Sequence, residues 1–175
     1  MYLLPYVLLA IAIFLIGRKA LFKNRLPIPE TSGKVYKVTD AAELDAILSS
    51  TTYVVVDFYA DWCSPCRAMA PIFSELADNH SLNGRLAFVK VNVDHANIVT
   101  RRYSVSTVPT FIFFHDCVPK GVAVKGLRSR PAVHFTSDGL VDRIQGADRA
   151  ALEAIVQALA MQAEGGPVLL GQVAA

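Results

Sequence analysis

Two cysteines, Cys63 and Cys66, stand three residues apart at the head of a stretch with helical character. At that spacing two thiols share the first turn of a helix and can close into a disulfide and reopen with little backbone movement. Such a pair in a chain without a disulfide framework points to redox or metal chemistry. The unpaired N–H groups and the dipole at a helix N-terminus favour a thiolate, and Cys63 is the sulfur nearer to them. Cys63 is therefore the expected nucleophile. It would attack a substrate disulfide to give a mixed disulfide that Cys66 resolves, leaving the pair oxidised and the substrate reduced.

Asp57 lies six residues before Cys63 inside the apolar run Val54 to Tyr59, where an ionised carboxylate is costly unless paired. Its pKa is expected to be raised, which suits it to take a proton from Cys66 as that thiol resolves the mixed disulfide. Lys90, in a following strand, is its expected charge partner. A zinc site is the competing reading of Cys-x-x-Cys, but zinc takes four ligands and neither a second such pair nor a His pair is present. The pair needs no cofactor beyond its own disulfide. Cys117 stands alone and reads as an unreactive loop thiol.

The elements that must position these residues alternate. Val35 to Val38 reads as a short strand, and a helix follows from Ala41 to Leu48, capped by Asp40 with Glu43 completing a capping box. Tyr53 to Tyr59 is a continuous β-branched and aromatic run, as expected of a central strand buried on both faces. A helix from Cys63 to Asn79, a strand from Leu86 to Val93, a short helix from His95 to Tyr103 and a strand from Phe111 to Phe114 come next. Leu140 to Ile144 reads as a strand, and Arg149 to Met161 as an amphipathic helix. Strands alternating with helices predict an α/β fold, a central mixed sheet flanked by helices.

The run Asp57-Phe58-Tyr59-Ala60-Asp61-Trp62-Cys63-Ser64-Pro65-Cys66-Arg67, with Pro71, Lys90-Val91-Asn92-Val93-Asp94, Tyr103-Ser104-Val105, Val108-Pro109-Thr110 and Gly146, resembles the thioredoxin family over roughly Val35 to Gln162. The resemblance implies a thioredoxin-like fold and a protein-disulfide reductase supplied with electrons by a thioredoxin reductase. It further implies that Pro109 is a cis-proline opposite the disulfide, flanked by Trp62, that substrate backbone pairs near Val108, and that Gly146 lets a partner approach closely. Pro71 is expected to bend the long helix. Pro65 supports the site in a Ser64-Pro65 pair where Gly-Pro is commonest, and Tyr59 stands where many members have a second tryptophan.

The resemblance implies a tight hairpin between Phe114 and Leu140, yet 25 residues separate them. Removing 117–138 would join His115-Asp116 to Gly139-Leu140 and restore an Asp-Gly turn. The segment is expected to be an insertion, or a translated intron, forming an exposed loop without a core face.

Met1 to Gly17 carries no charged side chain and, extended to residue 22, reads as a transmembrane anchor at the short end of the spanning range. A signal peptide fits less well, since no basic residue precedes the run and no small-x-small site follows it. Arg18, Lys19, Lys23 and Arg25 follow the run, so the domain is expected to face the cytosol; a secretory lumen is the alternative. Residues 23–34 are read as a linker, 35–162 as the domain and 163–175 as a flexible tail. The net charge of +2 leaves no electrostatic footprint for nucleic acid. The composition, 53% hydrophobic and 18% charged, excludes a disordered chain. A lumenal oxidase or isomerase, or an adaptor with an idle dithiol, are the competing functions.

Overall fold

The computed structural model describes residues 3–23, 27–29, 32–128 and 130–165. The tail beyond 165, two terminal residues and part of the linker lie outside them. Five helices and seven strands are assigned in the order α1 (Leu3–Lys23), β1 (Val35–Val38), α2 (Ala41–Ser50), β2 (Tyr53–Tyr59), α3 (Ser64–His80), β3 (Leu86–Asn92), α4 (Asn97–Arg102), β4 (Thr110–His115), β5 (Val118–Pro119), β6 (Val133–Phe135), β7 (Val141–Gln145) and α5 (Arg149–Ala163).

The strands form one mixed sheet in the order β1-β3-β2-β4-β7-β6, with β5 paired to β4. β3 runs parallel to both β1 and β2, whereas β4 is antiparallel to β2 and β7. Side chains alternate across β2, so Val54, Val56 and Phe58 pack with Leu44 and Leu48 of α2 and Val99 of α4. Tyr53 and Val55 face the opposite layer with Met69 and Phe73 of α3 and Leu152 and Ile155 of α5. Asp57 and Tyr59 share that second parity, which directs Asp57 beneath α3, the helix that carries Cys66.

Local signals explain the helix starts. The Asp40 carboxylate accepts the Glu43 N–H at 2.9 Å, and Asp148 caps α5 by accepting the Ala151 N–H at 3.0 Å. Glu43 reaches back as a capping box requires, but to the N–H of Thr39 at 2.7 Å, one residue earlier than expected.

The segment 117–138 departs from expectation. It is no exposed loop: Val122, Leu127 and Val133 are buried and join the core that holds α3 and α5. Asp116 and Cys117, both with positive φ (48° and 69°), turn β4 directly into β5. Paired positive φ values are the signature of a two-residue hairpin turn, so Asp116 finds a turn partner without Gly139. The segment then adds β6 to the far side of β7, making β7 an internal strand. Three apolar side chains spaced along the segment drew it onto the sheet, and its basic residues obscured them.

Residues 3–23 do fold as one helix, and Tyr6, Leu8, Ile13 and Phe14 on it are exposed. Among the described residues, however, no helix is long and apolar enough to cross a membrane, so the expected spanning anchor has no support in the structure.

Candidate active site

Cys63 is the N-cap of α3 and Cys66 lies in its first turn, because Pro65 takes one of the first two helical positions, where its missing N–H costs nothing. The two are joined as a disulfide with Cα atoms 5.2 Å apart. The Cys66 N–H donates to Cys63 Sγ at 3.1 Å. That donor is one of the orphan N–H groups at the head of the helix, of the kind that favours negative charge on an acceptor. Both cysteines are almost wholly buried, whereas Pro65 and Ser64 between them are exposed. Pro71 sits inside α3 and cannot donate to the preceding turn.

Asp57 is 1% exposed and in register with Lys90, itself 3% exposed. Its Oδ1 meets no protein donor among the described residues. Burial pushes its carboxyl up to about 7, against the opposing pull of the Lys90 ammonium. A carboxyl poised there accepts a proton near neutral pH. Lys90 Nζ lies 4.6 Å from the centroid of the Tyr59 ring, so the aromatic face takes part in holding the buried cation.

The remaining expected residues converge on the disulfide from other loops. The Val108–Pro109 peptide is cis, as the resemblance implied, and Val108 packs against the cluster containing both cysteines. The Gly146 N–H donates to the Pro109 carbonyl at 2.8 Å, which places the two loops side by side. Gly146 has φ 129°, a conformation that side-chain-bearing residues rarely adopt. Trp62 is 57% exposed, and its indole N–H donates to Asp94 Oδ2 at 2.8 Å. The disulfide, the cis-proline and the glycine loop therefore belong to one locale. Among the described residues no group of three or more His, Cys, Asp or Glu side chains is placed to hold a metal ion.

Cys117 is exposed and apart from this site, with its thiol donating to the Leu48 carbonyl at 3.3 Å. Two residues at the site were not anticipated. Asp61 accepts at one carboxylate oxygen from Asn92 and at the other from the Ile28 N–H, and Ile28 is buried in the cysteine cluster. A lone isoleucine between two prolines, Pro27 and Pro29, was the available signal.

The thioredoxin family model matches residues 34–134. The chain belongs to the thioredoxin family. A thioredoxin-like protein of Fusarium culmorum is 51% identical over 92 residues, 53% of this chain and 74% of the relative. A Neurospora crassa thioredoxin is 46% identical over 95 residues, covering 54% and 73% of the two chains. Among solved structures, the thioredoxin of Plasmodium falciparum superposes with a TM-score of 0.54 at 28% identity, covering 70% of this chain and 96% of that one. As a thioredoxin-family protein with its cysteine pair in place, the chain is a thiol-disulfide oxidoreductase.

Proposed function

We propose that this protein reduces protein disulfides, and that Cys63 and Cys66 are returned to the dithiol by an electron donor of the thioredoxin-reductase type. The observation that carries the direction of attack is the 3.1 Å hydrogen bond from the Cys66 N–H to Cys63 Sγ, which favours negative charge on that sulfur. The Cys63 thiolate attacks one sulfur of the substrate disulfide; a Cys63–substrate bond forms, the substrate S–S bond breaks and one substrate thiolate leaves. Asp57 takes the Cys66 proton, directly or through a water. The Cys66 thiolate then attacks Cys63 Sγ, closing the internal disulfide and releasing the second substrate sulfur. Two electrons pass to the substrate; its two released thiolates take protons from water, and Asp57 returns the Cys66 proton to solvent.

Substrate backbone docks along Val108, Pro109 and Gly146, with Trp62 as the exposed aromatic at the rim. The side-by-side arrangement of the two loops supports this docking line. Insulin-disulfide reduction by the full chain, set against Cys63→Ser, tests the proposal. Equal activity in the two ends it.

The reading also has the domain held at a membrane and facing the cytosol. Exposed apolar side chains on α1 and the basic residues after its apolar run support that attachment. Protease protection of the domain inside sealed microsomes would refute the cytosolic placement.

A further inference from the structure

Between α1 and β1, Ile28 is tied to the turn before α3, and Ser32 and Lys34 to its far end. Pro27 and Pro29 are exposed, but Ile28 between them is 5% exposed. Its side chain belongs to the buried cluster of Tyr59, Ala60, Cys63, Cys66 and Ala70. Its N–H donates to Asp61 Oδ1 at 3.0 Å, two residues before the attacking cysteine. Asp61 is held in turn by Asn92 Nδ2 at 3.0 Å on its other oxygen and by Arg67 at 2.6 Å on its carbonyl. At the other end of α3, Ser32 Oγ donates to Asp78 Oδ1 at 2.6 Å and Lys34 Nζ to the Asp78 carbonyl at 2.8 Å. The described residues of this segment are thus attached at both ends of one helix. The flanking prolines narrow its backbone freedom before it docks, which lowers the entropy cost of docking.

We propose that Ile28 is a positioning residue for the Cys63–Cys66 dithiol: its side chain closes the apolar cluster around the sulfurs, and its N–H fixes the Asp61 turn that leads into Cys63. The inference rests on the oxidoreductase reading. An apolar lid over this cluster keeps water from the sulfurs and so disfavours their charged form. Truncating it admits water, stabilises the thiolate, and with it the reduced pair relative to the disulfide. The ionisable groups bordering the cluster are Asp57, Lys90, Asp61, Arg67 and Asp94, and a substitution at Ile28 changes the charge of none of them.

The test uses the full chain carrying Ile28→Ala and Ile28→Val, equilibrated with dithiothreitol buffers, together with the pH profile of Cys63 alkylation by iodoacetamide. Ile28→Ala is expected to shift the dithiol–disulfide equilibrium several-fold toward the dithiol and to move the alkylation profile to lower pH; Ile28→Val is expected to fall between it and the unaltered protein. Urea titration reports the loss of packing separately. An Ile28→Ala protein that loses stability while its equilibrium and alkylation profile coincide with those of the unaltered protein overturns the inference. Should that variant not fold, Ile28→Thr, which keeps the branched shape, takes its place with the same two outcomes. Failure of the unaltered protein to exchange with dithiothreitol or to reduce insulin would sink the oxidoreductase reading itself. Exchange by the unaltered protein with no shift in the variants removes only the role of Ile28.

Discussion

Asp57 on β2 and Lys90 on β3 stand opposite each other in the sheet register, and both are almost completely buried. Burial outweighs the attraction to Lys90, so the Asp57 carboxyl binds its proton more tightly in the folded chain, at about 7, than its ordinary value of 3.8. A carboxyl whose folded pKa is raised favours folding below its unfolded value, and that contribution is lost as pH rises through the folded value. Stability of the unaltered protein relative to Asp57→Asn should therefore fall between about pH 4 and pH 7, by up to about 4 kcal/mol at 1.4 kcal/mol per unit. Urea unfolding of both proteins across that range measures the difference; parallel curves contradict the raised pKa.

The same group carries a kinetic expectation. Asp57→Asn keeps the shape but removes the proton acceptor, so release of substrate from the mixed disulfide should slow by about 10²-fold while mixed-disulfide formation changes much less. Quench-flow with a disulfide peptide separates the two steps, and equal slowing of both would assign Asp57 a packing role instead.

Division of labour between the cysteines predicts opposite outcomes for their replacement. Cys66→Ser should accumulate a stable covalent adduct with substrate through Cys63, whereas Cys63→Ser should form none. Mass spectrometry after incubation with a disulfide peptide reads this directly, and an adduct on Cys66 in the Cys63→Ser protein reverses the assignment.

Much of this arrangement was legible in the residues. The β-branched and aromatic run at Tyr53 to Tyr59 announced a strand with both faces covered, and the aspartate that interrupts it announced a perturbed carboxyl. Asp40 marked a helix start by its ability to accept an N–H group from the next turn. What escaped reading depended on partners distant in the chain. Ile28 lies 33 residues before the carboxylate that receives its N–H, and its local mark, a proline on either side, does not say what it packs against. Val122, Leu127 and Val133 lack helical or strand spacing among their basic neighbours, so their common core face emerges only once β7 offers an edge. Paired positive φ at Asp116 and Cys117 was equally hidden, since neither residue is a glycine.

Packing of the 117–138 segment gives a prediction of its own. Leu127 is 5% exposed within the main core, so Leu127→Ala should cost about 2–5 kcal/mol, as expected for a buried leucine. Urea denaturation measures it; a change under about 0.5 kcal/mol would mean the segment contributes surface alone.

Gly146 at φ 129° has its N–H on the Pro109 carbonyl, and a Cβ there would lie 3.7 Å from that of Ala132. Strain at that φ, not lack of space, makes substitution costly. Gly146→Ala should raise KM for protein disulfides more than it lowers kcat, by displacing the loop beside Pro109. Steady-state insulin reduction checks the split, and an unchanged KM would remove the loop from the docking line.

Ionisation of one sulfur at the head of α3 underlies the whole account. The rate of iodoacetamide alkylation of reduced Cys63, followed from pH 4 to pH 10 in the full chain, should reach half its plateau well below the ordinary cysteine value of about 8.5. A midpoint at or above that ordinary value would contradict the account.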